Sequence, residues 1–209
     1  MSKVLSALLL CGLALLVTGC GGGDEGSSGA DASDPGSLLL IADELPEGST
    51  TGETAPELCG PLPILQKNGG QTAISKTFVV DEAKVVEAVG VFEAPADAKA
   101  AFAELNTRER FECIANAVQT LGGAASVRAA PPKSSGVGDD DTVMRFVAFD
   151  DETAGAGEPE PNGYSDIVAI RVGRCTASLL IGVESGDPPD PVSGETVQTV
   201  ADRLSGACE

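Results

Sequence analysis

Of six cysteines, Cys11 and Cys20 fall in the N-terminal segment, and the other four, Cys59, Cys113, Cys175 and Cys208, are spread along the chain with no two of them in a Cys-x-x-Cys spacing. What they become depends on the compartment, and the N-terminus bears on that. Lys3 precedes a 14-residue apolar run, Val4 to Val17. The run has the length of a secretory signal core and falls short of the roughly 20 residues that a membrane-spanning helix needs. In an exported chain an even set of cysteines reads as a disulfide framework. Two bridges are expected, and the residues themselves leave all three connectivities open. The wide spacing argues against thiol redox chemistry and against a zinc ribbon. The sequence also has no histidine, which removes Ser-His-Asp and Cys-His catalysis and any histidine metal site.

The apolar run ends Val17-Thr18-Gly19-Cys20, followed by Gly21-Gly22-Gly23. An aliphatic residue, two small ones and a cysteine resemble the lipobox of bacterial lipoprotein precursors. That resemblance implies diacylglyceryl transfer to the Cys20 thiol and cleavage just before it. It predicts a signal peptide over 1–19 and a chain held in the cell membrane by its acylated cysteine, facing the extracytoplasmic side. Two acyl chains, at about 0.8 kcal/mol per buried methylene, anchor stably where one does not. Residues 20–36 (CGGGDEGSSGADASDPG) hold glycine, serine and aspartate with almost nothing to bury, so they are expected to be a solvated acidic tether. Residues 37–209 form the expected folded domain.

With 13 lysines and arginines against 32 acidic residues, the formal net charge is −19. That balance argues against nucleic acid as a partner and against adhesion to anionic headgroups. Within the domain, Ser37 to Leu45 is a short apolar segment closed by Pro46, expected as a brief helix on the core. Thr72 to Val80 and Lys84 to Phe92 read as strands. Pro95 opens a helical stretch whose apolar residues Phe102, Leu105, Phe111, Ile114, Val118 and Leu121 make one long helix or two broken near Asn106-Thr107. Thr142 to Phe149 is a further strand. Asp166 to Val172 and Cys175 to Val183 form a hairpin across Gly173-Arg174, the Gly-first order of a type II′ turn. Ser193 is expected to cap a last helix, with Val197, Val200, Ala201 and Leu204 on one face. Pro131 to Asp141 and Glu152 to Gly163, rich in glycine, proline and acid, read as surface loops. The sum is an α+β domain, a largely antiparallel sheet flanked by helices.

The order LLLIADELPEG, cysteine, VVEAVGVFEAP, PADAKAAFAEL, cysteine, GVGDDDTVMRF, DIVAIRVGRCTASLLIG and ETVQTVADRL resembles the actinobacterial sensor-domain lipoproteins. These are relatives of the PknH-like extracellular domain found on some mycobacterial Ser/Thr kinases. The resemblance covers about residues 37 to 207. It implies a Cys59–Cys113 bridge, which leaves Cys175 and Cys208 to each other, and it implies a ligand-binding or sensing role.

Several residues invite a chemical reading. Asp139-Asp140-Asp141 and Asp150-Asp151-Glu152 are hard oxygen donors of the kind calcium takes, but the EF-hand spacing is missing. Such a run at a strand entry is expected simply to face water, and no metal or cofactor is expected. The same carboxylates as a glycosidase pair would lack aromatic platforms, since the chain has one tyrosine and no tryptophan. Ser75-Lys76 and Lys133-Ser134 are adjacent pairs without a motif, and neighbours on a strand point to opposite faces. Arg108, Arg110, Arg171 and Arg174 gather the positive charge. They are expected to pair with carboxylates and not to hold an anion. No catalytic residue is assigned. The expected role is binding of a small ligand, an envelope component or a partner protein. An accessory envelope protein acting through protein contacts is the alternative, and a histidine-free hydrolase stands last.

Overall fold

Alternating apolar positions organise the chain around one eight-stranded sheet in which every strand pair is antiparallel. The computed structural model describes residues 34–47, 49–52, 59–80, 83–122, 124–150, 161–183 and 190–209. The signal segment, Cys20, the tether as far as residue 33, and Asp151 and Glu152 lie outside the described residues. Two 3-10 turns, Pro35–Leu38 and Ala42–Glu44, come first. Then follow β1 (Thr50–Thr51), α1 (Pro61–Lys67), β2 (Gln71–Ile74), β3 (Phe78–Val80), β4 (Ala83–Val91), α2 (Pro95–Leu105) and α3 (Arg108–Gly122). The chain closes with β5 (Ser126–Ala129), β6 (Asp140–Phe149), β7 (Pro161–Val172), β8 (Cys175–Val183) and α4 (Asp190–Cys208). The strand order is β1-β3-β4-β8-β7-β6-β5, with β2 also on β4. This is the α+β architecture that the sequence pattern predicts.

The two faces of the sheet carry different cores. One face of β4, β7 and β8, with Val85, Val89, Val168, Ile170, Leu179 and Ile181, is covered by α4 through Val197, Val200, Ala201 and Leu204. The entry segment adds Leu38, Leu40 and Leu45 to the same core. The opposite face is lined by small residues. Ala88 and Ala169 lie under Leu65 of α1 and Ala98, Ala101 and Leu105 of α2. The lack of bulk lets helix and sheet approach closely, so that the Thr176 hydroxyl donates to the Ala98 carbonyl at 3.2 Å. A Cβ on Gly90 would stand only 3.0 Å from the Leu65 side chain. Further along, Ile114 packs with Met144, Phe146 and Ile167.

Some elements depart from the expected ones. The single strand over Thr72 to Val80 is two, β2 and β3, both paired with β4. At the break the Ser75 N–H donates to the Glu87 carbonyl at 2.8 Å. The Ser75 hydroxyl then accepts from the Glu87 N–H at 2.9 Å, a side chain standing in for a ladder carbonyl. The helical stretch after Pro95 breaks at Asn106-Thr107 into α2 and α3. Ser193 is inside α4 and is not its cap, because the helix begins at Asp190. The short elements α1, β1 and β5 carry too few periodic positions to have been read from the sequence.

Both disulfides form with 5.8 Å between their Cα atoms, Cys59 to Cys113 and Cys175 to Cys208. The second locks the end of α4 onto the β7–β8 turn. Gly173 has φ 51° there, the sign that the first central residue of a II′ turn requires. A Cβ on it would fall 2.0 Å from the Cys208 carbonyl oxygen, and Arg174 N–H donates to that oxygen at 3.3 Å. Glycine is required on both counts.

Candidate functional site

Strand alternation turns Glu87 toward the α4 face, opposite Leu179 on β8 and among the apolar side chains of that core. Its side chain is fully buried. One carboxyl oxygen accepts from the Leu40 N–H at 2.7 Å, and the other has no hydrogen-bond partner. Burial pushes the carboxyl up to about 8, against a smaller opposing pull from the Leu40 N–H. At neutral pH Glu87 therefore carries its proton, as a carboxyl in a dry site must when no cation faces it. Its position in an alternating strand gave no warning of this, because the Glu87 position reads as one polar residue in an otherwise apolar run.

The segment above Glu87 is the stretch from Asp34 to Leu45. Leu38, Leu40 and Leu45 are buried and Leu39 is half-buried, while Ile41 points out, 55% exposed. Apart from two 3-10 turns it has no regular structure, so its backbone is held by side chains. Arg203 of α4 donates to the Leu38 carbonyl at 3.1 Å and forms an ion pair with Glu44. Beside it, an open groove of about 510 Å³ lies between the second 3-10 turn and α4, rimmed by Asp43, Glu44, Glu195 and Asp202. The groove is carboxylate-rimmed and open, unlike an enclosed apolar ligand pocket between sheet and helices.

The other candidate residues are held in structural contacts. Asp139 and Asp140 both take the Arg171 guanidinium, at 3.0 and 2.7 Å, and Asp139 also accepts the Gly173 N–H at 2.8 Å. Asp141 accepts from the Ser134 and Ser135 hydroxyls, each at 2.7 Å. Burial works against its charge, but these hydroxyls and the Ser135 and Gly136 N–H groups hold its carboxyl below the usual range. The triple aspartate thus ties a loop to a strand end, and its carboxylates are engaged where sequence reasoning left them facing water. Among the described residues no cluster of three or more acidic or cysteine side chains is arranged to hold a metal.

Of the four arginines, Arg108 pairs with Glu112 at 2.7 Å and Arg171 with the aspartates. Arg174 donates to the Phe92 carbonyl at 3.4 Å. Arg110 departs from the expected carboxylate pairing. It is 7% exposed, and donates to the Leu105 carbonyl at 2.7 Å and the Ser178 hydroxyl at 3.1 Å. Burial pushes it down to about 10. Its charge lies against the C-terminal carbonyls of α2, where the helix dipole favours a cation, so it staples the α2–α3 break to β8. A half-buried pair that sequence reading missed joins Arg145 to the buried Asp166, cross-strand neighbours on β6 and β7, through two 2.7 Å hydrogen bonds. The Ser75 hydroxyl donates to the Lys76 carbonyl at 2.8 Å, and Ser134 is bonded to Asp141. Neither serine meets its adjacent lysine as a base.

No family model matches the chain, and no curated protein matches it. Among solved structures, the extracellular domain of PknH from Mycobacterium tuberculosis matches over 85% of this chain and 98% of that chain, with a TM-score of 0.48 and 13% identity. A likeness of that degree carries no argument about ligand, partner or activity. Among the described residues no helix is long and apolar enough to cross a membrane.

Proposed function

We propose that the chain is an exported lipoprotein whose α+β domain is tethered to the cell membrane through acylated Cys20. On this reading it acts by binding a small ligand, an envelope component or a partner protein, and not by catalysis. The observation that carries the reading is the pair of disulfides, which span 54 and 33 residues of sequence. Bridges of this kind persist in oxidising compartments, and they fit the apolar leader and the lipobox ahead of the acidic tether. The absence of assigned catalytic residues rests on how the polar groups are used. The triple aspartate, Arg108, Arg110, Arg171, Ser75 and Ser134 all serve contacts within the fold.

Native mass spectrometry of the full mature chain, extracted from a bacterial envelope host, tests the binding role. A mass adduct retained in the native state and lost on denaturation is the expected result, and accurate mass gives its chemical class. A clean apo mass, with crosslinking in cells that captures one envelope protein reproducibly, would replace the ligand reading with the accessory one. Turnover of an envelope polymer by the purified chain would overturn the non-catalytic reading.

A further inference from the structure

We infer that the entry segment Asp34–Leu45 is a proton-gated strap, latched over the sheet while Glu87 is a neutral acid and released when Glu87 ionises. The geometry carries this. Glu87 lies beneath the strap with one oxygen on the Leu40 N–H and the other without a partner. The neutral acid suits that dry site, whereas a carboxylate needs water or a cation there and has neither.

The charged groups on the surrounding elements do not replace the missing cation. On the strap, Asp34 and Asp43 are exposed, and Glu44 is taken by Arg203. On α4, Glu195 and Asp202 are exposed, and Arg203 is engaged with the strap itself. On β6 and β7, Arg145 and Asp166 hold each other. Lys84 on β4 and Lys76 at the break between β2 and β3 are exposed, and β3 and β8 carry no ionisable side chain. What sets the Glu87 carboxyl apart is burial, eased by one N–H.

The ionised group can regain water by one short route. β4 is flanked by strands on both edges, and α4 is pinned by the Cys175–Cys208 bridge. The strap is neither paired into the sheet nor cross-linked. Its attachments include Leu38, Leu40 and Leu45 in the core, the half-buried Leu39, the Glu87 hydrogen bond and Arg203. Lifting it exposes Glu87 without unpairing a strand. By linkage, any force or partner that pulls the strap away also releases a proton. The inference concerns the fold alone and stands or falls apart from membrane anchoring.

Amide hydrogen exchange of the full mature chain, measured between about pH 6 and about pH 9 and scaled for the base-catalysed intrinsic rate, tests it. In the wild type, protection over residues 36–45 should fall by roughly tenfold per pH unit up to about pH 8 and level off above it, while α4 stays protected. In Glu87→Gln the strap should stay protected throughout. A strap indifferent to pH in the wild type, or one that opens equally in both proteins, would overturn the inference. Should the variant fail to fold, carboxyl 13C titration of the wild type decides. One glutamate with a midpoint far above the others, matched by the Leu40 amide, is expected. Ordinary midpoints for every glutamate, or a Leu40 amide that ignores the titration, would sink it.

Discussion

Replacing Glu87 with glutamine should stabilise the protein at neutral pH and leave it no more stable in acid. The carboxyl moves from 4.5 to about 8 on folding, and each unit corresponds to about 1.36 kcal/mol. At pH 7 the unfolded chain has lost this proton and the folded one keeps it, so folding costs about 3 kcal/mol at this site. The sign follows from a raised value in the folded state. The stability contribution is fully present below about pH 4.5, declines as pH rises, and levels off above about pH 8 at a loss near 5 kcal/mol. Glutamine does not titrate, but it brings a second N–H into a dry site, a cost of about 1 kcal/mol. The net expectation is a gain of about 2 kcal/mol at pH 7 and a deficit of about 1 kcal/mol near pH 4. Urea unfolding with the disulfides intact, repeated from about pH 4 to about pH 8.5, reads the difference directly. Parallel stability curves for the two proteins, or a variant weaker at pH 7, would refute the reasoning.

Three further perturbations probe the other supports. Gly173→Ala puts a methyl 2.0 Å from the Cys208 carbonyl at a positive φ; a loss of about 2 kcal/mol or more in non-reducing urea unfolding is expected, and a change below about 0.5 would contradict the turn geometry. Asp166→Asn leaves Arg145 without its bidentate partner on a side chain that is 26% exposed; a loss of about 1–3 kcal/mol is expected, discounted for that exposure, with thermal unfolding as the check. Arg110→Ala should cost about 2–4 kcal/mol, by leaving the Leu105 carbonyl uncapped and a gap at Ser178. Arg110→Met should recover part of that loss, whereas equal instability of both would deny the packing share of the argument.

What the sequence made legible is what periodicity encodes. The apolar spacing of Val197, Val200, Ala201 and Leu204 names the buried face of α4, and Gly173-Arg174 names the hairpin turn. Strands β4, β6, β7 and β8 are apparent from runs long enough to show alternation. The short pieces were illegible because a two-residue strand such as β1 has no period. The split of the first long strand was hidden because its cause is a hydroxyl, Ser75, bonding across to Glu87. Contacts distant in sequence are the ones that decide the site. Leu40 meets Glu87 across 47 residues and Arg203 meets Leu38 across 165. No local pattern distinguishes a buried glutamate under a strap from a solvated one. The use of the triple aspartate was illegible for the same reason, since Arg171 reaches it only through strand pairing.

The central claim, an exported domain held at the membrane by its acylated Cys20, is tested most directly by the mass of the N-terminal peptide of the protein purified from bacterial membranes. The account predicts a mature chain that starts at Cys20 and carries a diacylglyceryl group, which Cys20→Ala abolishes. A chain that retains residues 1–19, or that is cut elsewhere with an unmodified Cys20 thiol, would contradict it.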